Sequence, residues 1–228
     1  MSRSERLPPR GPFNSTNSAA VQREEGGKGL STYKESGLKS LVNPLKLFRK
    51  KGPEKTARAL YAAAVTQARQ PWFYTDQGLP DTPEGRLEAV MLHVYLILHR
   101  LKEGAEGGAE AVAQALFDVL FEDMDQSLRE MGVGDAGVPR RIKAMVEAFM
   151  GRIAAYDHGI EAGLDADETA LKDALKRNFY RTSTPGEHEV SALAAYVRGA
   201  VQMLKSEPVT GFLEGHVVFP NPRKPNQP

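Results

Sequence analysis

The fold of this 228-residue chain is decided by residues 81–101, which read DTPEGRLEAVMLHVYLILHRL. Asp81 or Thr82 can cap the free backbone N–H groups at a helix start, and Pro83 suits the first helical turn. Behind this start, apolar residues repeat at helical spacing and cover most of the circumference, instead of forming a single stripe. The stretch predicts a long central helix that is buried on nearly all sides.

Further segments on both sides of the central helix carry the same helical periodicity. They cover residues 54–70, 109–131, 139–162, 165–178 and 184–206. Gly132 is expected to end one of them as a left-handed cap, and Thr184 with Glu187 is expected to form a capping box at the start of another. Only residues 215–219 look extended. The sequence predicts an all-α fold, a single compact bundle of about six helices over residues 54–219.

The flanks of this domain differ from it in composition and charge. Lys and Arg total 30 and Asp and Glu total 29, yet residues 1–56 hold 12 basic and 5 acidic side chains, so the remainder is acidic. Residues 1–53 are predicted to be a disordered basic extension, and residues 220–228 a disordered tail, because both are poor in apolar anchors.

One stretch of the extension, residues 37–51, is both basic and amphipathic. This pattern is typical of a segment that touches an anionic membrane surface or ribosomal RNA, and a solvated linker is the alternative. The residues expected to make the membrane or ribosome contact are Leu45, Phe48, Arg49, Lys50 and Lys51.

Several classes of protein are excluded by composition. The chain has no cysteine, which removes disulfides, thiolate metal sites and cysteine nucleophiles. No apolar run approaches the roughly 20 residues of a membrane-spanning helix, and residues 1–10 lack the apolar core of a secretory signal. We therefore expect a soluble or peripheral protein.

Asp118, Glu122, Asp123 and Asp125 place four carboxylates within two helical turns, and we call this set the acidic ridge. It could hold a hard metal ion or face a cationic partner. A metal-dependent prenyl-transfer site would need a second facing acidic motif, and the only candidate, residues 165–168, reads better as acids at a helix start. A solvated or partner-facing ridge is therefore favoured. No metal site and no cofactor are predicted.

Arg86, His93 and Arg100 recur every seven residues on the central helix and form a thin polar seam. Such a seam needs acceptors, and the acidic ridge is the expected internal source; an anionic ligand is the alternative. His93 is expected to be a core histidine with satisfied hydrogen bonds. The aromatic run Trp72-Phe-Tyr74 is expected to lie in a loop, chiefly anchored in the core.

Several blocks resemble the ubiquinol-cytochrome c chaperone family. They include residues 57–61 (ARALY), 70–74 (QPWFY), 79–82 (LPDT) and above all 121–135 (FEDMDQSLREMGVGD). The resemblance covers most of residues 55–219 and implies a bacterial relative of the mitochondrial factor that assists assembly of the cytochrome bc1 complex, respiratory complex III.

The resemblance implies an assembly chaperone and no enzyme. Its expected partners are cytochrome b or other bc1 subunits and an anionic membrane surface, with the ribosome as a further candidate and no DNA. The expected location is cytoplasmic, at the cytoplasmic face of the inner membrane. The alternative is a helical enzyme or binding protein for an isoprenoid or lipid, acting through the acidic ridge. The residues expected to bind the partner are Trp72, Tyr74, Arg86, Asp123, Asp125, Arg129 and Asp135.

Overall fold

The computed structural model describes residues 53–104, 107–163 and 168–223, and all regular secondary structure in these ranges is helical. The predicted all-α fold is confirmed. The helices are α1 (Glu54–Ala68), α2 (Trp72–Thr75), α3 (Pro83–Glu103), α4 (Ala109–Glu130), α5 (Val138–Gly163), α6 (Thr169–Arg177), α7 (Glu187–Ser206) and α8 (Val209–Leu213). The predictions for residues 1–52 and 224–228, including the basic segment 37–51, lie outside the described residues.

Helix α3 is the central helix that the sequence predicts. The Thr82 hydroxyl accepts a hydrogen bond from the Gly85 N–H at 3.2 Å, and Pro83 occupies the first turn. Eight consecutive residues, 91–98, are buried. Burial on every side of α3 is possible because it contacts α1, α4, α5, α7 and α8.

The helix ends show which local signals act as expected. Gly132 follows α4 with φ of 81°, and its N–H donates to the Arg129 carbonyl at 2.9 Å, so the left-handed cap is confirmed. The capping box at α7 is wrong, because Gly186 is the N-cap and no side chain caps the helix. Glu187 instead pairs with Lys172 at 3.2 Å and Lys176 at 3.0 Å, both on α6.

Two further segments differ from their predictions. The aromatic run does not form a loop but the short helix α2. Residues 216–220 adopt neither helix nor strand, although Phe219 packs edge-on against the His93 ring at a centroid distance of 5.1 Å. Contacts continue to the described C-terminal end, where Arg223 lies 3.4 Å from Asp76.

The polar seam of α3 finds its partners away from the acidic ridge, so that pairing is wrong. Arg86 pairs with Asp81 at 2.6 Å, at the start of its own helix. Arg100 donates to the backbone carbonyls of Leu204 and Glu207, both at 2.8 Å. The ridge projects from a face of α4 that turns toward α1, and α3 presents its seam elsewhere.

His93 is fully buried and its hydrogen bonds are satisfied, as expected for a core histidine. Nδ1 lies 2.7 Å from the Ala89 carbonyl, so Nδ1 carries the proton and donates. Nε2 lies 2.8 Å from the Tyr196 hydroxyl and accepts from it. Tyr196 in turn accepts from Gln67 Nε2 at 3.1 Å, which joins α1, α3 and α7 through one chain of hydrogen bonds.

A buried ion pair joins α3 to α5. The Arg152 guanidinium donates twice to the Glu88 carboxylate, at 2.8 and 2.6 Å. The Glu88 side chain is only 3% exposed, and Arg181 adds a third contact at 3.3 Å. Two parallel hydrogen bonds fix the relative orientation of the helices as well as their distance.

None of the helices in the described ranges is long and apolar enough to cross a bilayer.

Candidate functional site

An open groove of about 1090 Å³ lies among α1, α2, α3, α4 and α5. Its floor is apolar and consists of Val65, Ala68, Leu87, Val90, Met124, Leu128, Met131 and Met145. The three methionines, at 124, 131 and 145, are unbranched and polarizable, so they adapt to partners of irregular shape. Met131 is 63% exposed, which is unusual for a large apolar side chain and leaves it available to a partner.

The wall on the α1 side is held by a contact between Tyr61 and Asp123. The Tyr61 hydroxyl donates to Asp123 Oδ2 at 2.7 Å. Burial, and then the neighbouring carboxylate, raises the pKa of Tyr61 above its ordinary value, so the hydroxyl stays protonated and keeps donating at neutral pH. Both residues line the groove, and their contact joins α1 to α4 at its edge.

The other ridge carboxylates also have local partners. Glu122 lies 2.7 Å from Arg58 of α1. Asp118 accepts from Gln114 at 2.8 Å, and burial raises the pKa of Asp118 above its usual value. The acidic ridge therefore joins α4 to α1 and to itself.

The opposite rim is formed by α2 and the start of α3. The Tyr74 hydroxyl donates to the Ala68 carbonyl at 2.8 Å, which fixes α2 against the end of α1. Arg86 pairs with Asp81, and this hydrogen bond lowers the pKa of the Asp81 carboxyl. These polar groups surround the apolar floor without crossing it.

Arg129 fixes the corner between α4 and α5, beyond the end of the groove. Its guanidinium contacts Asp125 on the preceding turn at 2.6 Å. A second nitrogen contacts Asp135 in the loop that leads to α5. The corner loop is thereby tied to the last turn of α4.

The structure brings part of the predicted partner-binding set together. Tyr74, Arg86 and Asp123 line the groove. Asp125, Arg129 and Asp135 form the neighbouring corner cluster and do not line it. Trp72 is separate: its side chain is 8% exposed and packs on Phe73 and Tyr196, with ring centroids 5.2 and 5.8 Å apart.

The apolar floor was not predicted as a site. The sequence pattern assigns Leu87, Val90, Met124 and Met145 to inward helical stripes, because periodicity cannot distinguish a packed face from an open one. One available signal was Met131, which follows the last turn of α4 next to Gly132, where no further helical turn can cover it.

A metal site finds no support in the ranges that the structure covers. No group of three or more His, Cys, Asp or Glu side chains there is arranged to hold an ion. The groove offers apolar surface with a polar rim, which suits the binding of an apolar segment.

Comparisons with known proteins give a consistent result. A family model described as ubiquinol-cytochrome C chaperone matches residues 75–219. Ubiquinol-cytochrome-c reductase complex assembly factor 1 of Xenopus laevis is 29% identical over 164 residues, which are 72% of this chain and 78% of that protein. The human protein of that name is 28% identical over 151 residues, 66% of this chain and 48% of that protein. The chain thus spans about half the length of the human relative.

A solved structure shares the fold. The crystal structure of the Cbp3 homolog from Brucella abortus matches with a TM-score of 0.67 and 36% identity, over 79% of this chain and 98% of that chain. The matched family and the named relatives are chaperones or assembly factors, and not enzymes. Trp72 and Tyr74 lie just before the matched range, whereas the other predicted partner-binding residues lie within it.

Proposed function

The chain belongs to the ubiquinol-cytochrome c chaperone family, and on this premise we propose that it is an assembly chaperone for the cytochrome bc1 complex. Its relatives are named as assembly factors of the ubiquinol-cytochrome c reductase complex. We further propose that the client is cytochrome b and that the groove receives one of its apolar segments before the complex is complete.

The observation that carries this proposal is an apolar floor that lies open to solvent beside the packed core. The floor holds Met131 at 63% exposure beside half-buried Leu87, Val90 and Met145. An apolar segment laid on it would lose water on one whole face, at about 25 cal/mol per Å² of apolar surface removed from water. The rim residues Tyr74, Arg86 and Asp123 would orient the segment from the sides while they remain in contact with water.

The enzyme alternative depended on the acidic ridge, and the ridge carboxylates are engaged in contacts within the domain. Of the acidic ridge, Asp123 accepts from Tyr61, Glu122 pairs with Arg58, and Asp125 pairs with Arg129. A ridge whose carboxylates are paired within α4 and with α1 has a structural role. A lipid or isoprenoid ligand would have to use the apolar floor instead.

The basic segment 37–51 is proposed to hold the chaperone at the cytoplasmic face of the inner membrane, through Leu45, Phe48 and the basic run 49–51. Apolar residues surrounded by cations bind anionic bilayers by partial insertion plus electrostatic attraction. Removal of residues 37–51 is expected to release the protein from anionic vesicles at low salt. Loss of ribosome binding with unchanged vesicle binding would assign the segment to the ribosome.

The client is tested by site-specific crosslinking, for which a cysteine-free chain is convenient. A photocrosslinker is attached to the single thiol of each of two variants. Thr75→Cys places it on the groove rim, and Thr182→Cys places it at an exposed position outside the groove. We expect newly made cytochrome b to crosslink from position 75 and not from position 182. Equal crosslinking from both positions, or none from either, would exclude the groove as the client site.

The chaperone function itself is tested by deleting the gene. We expect a lower level of assembled bc1 complex and an unchanged level of unrelated respiratory oxidases. Complementation with Leu87→Glu, which puts a charge on the groove floor, should fail to restore the complex, whereas Val218→Glu, outside the groove, should restore it. Normal bc1 levels in the deletion strain would refute an assembly role.

A further inference from the structure

A second exposed surface lies where α4 meets α5, at the end of the groove. Met131 lies immediately after α4, and Arg140, Arg141 and Lys143 lie in the first two turns of α5; all four side chains are exposed. We call these four residues the corner patch. The patch combines cations with one exposed apolar side chain, which is the composition of surfaces that bind anionic bilayers.

The cations of the corner patch form no ion pair within the described ranges. This contrasts with Arg58, Arg86 and Arg129, each of which contacts at least one carboxylate. The first turn of α5 contains no acidic residue, although the helix dipole favours acids and disfavours cations there. Within the described ranges, these cations therefore have no ion-pair role in holding α5.

The start of α5 is positive on its own, and acids lie on both sides of it. Asp135 is engaged by Arg129, and Glu130 accepts from Gln126 at 2.9 Å on the preceding turn. Glu147 lies one helical turn after Lys143 and is the remaining acid on this part of α5. Glu130, Asp135 and Glu147 keep their negative charges, so the positive surface is confined to the first two turns of α5, which hold three cations and no acid.

The patch is continuous with the groove. Met131 belongs to both, and Arg141 precedes the groove residue Met145 by four residues, which places the two side chains on neighbouring turns of one helix face. A bilayer that contacts the corner patch would therefore lie against the open end of the groove. An apolar client segment leaving the groove would then meet lipid without crossing water.

We propose that the corner patch is a second membrane-contact surface, which binds anionic lipid headgroups through Arg140, Arg141 and Lys143 while Met131 enters the interface. It differs from the basic segment 37–51 because it belongs to the folded domain and fixes the orientation of the domain. The proposal rests on the proposed function only in its consequence for the client; the lipid contact stands or falls separately.

The affinity test uses the full chain and vesicles of phosphatidylcholine with about one-third phosphatidylglycerol. Arg141→Glu is compared with Arg177→Glu, an equal charge change at an exposed arginine of α6. Each cation near an anionic surface contributes about fivefold to binding, so Arg141→Glu should weaken binding about 25-fold. Arg177→Glu should change it less than about threefold. Equal effects of the two variants would overturn the proposal, because net charge alone would then explain the binding.

The orientation test does not depend on affinity. Met131→Cys and Val218→Cys, at residues with 63% and 62% exposure, each receive an environment-sensitive fluorophore. Addition of the anionic vesicles should shift the emission to the blue at position 131 only. A shift at both positions or at neither would overturn the proposal. So would an Arg141→Glu variant that loses ribosomal RNA binding while keeping vesicle binding.

These outcomes are separable from those of the proposed function. Crosslinking from position 75 with no blue shift at position 131 would support the client site and refute the second lipid contact. A blue shift with no crosslinking would do the reverse.

Discussion

Acidification is expected to destabilise the fold through His93. Burial lowers the pKa of His93 from 6.5 to about 4, because the fully buried ring cannot keep a charge hydrated. Protonation at Nε2 would also place a second donor against the Tyr196 hydroxyl, which already accepts from Gln67. Both effects favour the neutral ring in the folded state.

The sign and size follow from the two pKa values. Between pH 6.5 and about 4 the unfolded chain binds the proton more tightly than the folded protein, so the free energy of unfolding falls as the pH falls through this window. The stabilisation is fully present above pH 6.5. At pH 5 the loss amounts to about 2 kcal/mol, a large part of the total stability of a domain.

The measurement is urea unfolding at pH 7 and pH 5, followed by helical circular dichroism. The double variant His93→Leu/Tyr196→Phe removes the titrating ring together with its partner, which avoids leaving one buried polar group unpaired. Between the two pH values the wild type should lose about 2 kcal/mol more than this variant. The exposed-histidine variant His188→Asn should behave like the wild type. Parallel losses in the wild type and the double variant would refute the assigned role of His93.

Two further predictions concern the packing of α5. Arg152→Met leaves the buried Glu88 carboxylate without its bidentate partner and should lower the free energy of unfolding by about 3–5 kcal/mol; a loss below about 1 kcal/mol would contradict this. Gly159→Ala should destabilise in thermal unfolding, because a Cβ there would lie 2.7 Å from the Leu171 Cα, whereas Gly151→Ala should stabilise by up to about 1 kcal/mol because its site is open. The opposite order of the two alanine variants would show that α5 and α6 are not closely packed.

The predictable part of the fold is the part determined by residues close in sequence. Thr82 caps α3 and Gly132 ends α4, because each acts on backbone groups within a few residues. The capping box at α7 fails for a non-local reason: Glu187 turns to Lys172 and Lys176, whose positions depend on how α6 packs. The capping box does not form because two lysines of another helix bind the same carboxylate.

The candidate site was predictable only at its rim. Tyr74 and Asp123 lie in the blocks that resemble the family, and Arg86 follows one of these blocks closely. The partners of Arg100 could not be predicted, because they are the backbone carbonyls of residues 204 and 207. Every residue carries a backbone carbonyl, so the sequence does not indicate which one a side chain will meet. The floor was assigned to the core because an open apolar face and a covered one have the same periodicity.

The contrast between the groove and its frame bears on how a chaperone of this kind could accept a client and release it. The frame is specified by directional contacts, such as the Glu88–Arg152 pair and the His93–Tyr196 hydrogen bond, which allow one arrangement of α3. The groove floor has three methionines and no charge, so it supplies contact area without demanding a particular geometry. A floor of this kind binds many apolar surfaces moderately and few tightly, because adaptable side chains lose conformational entropy when they are ordered. Moderate affinity is what release requires, since the client must leave when a better-matched subunit covers the same apolar face.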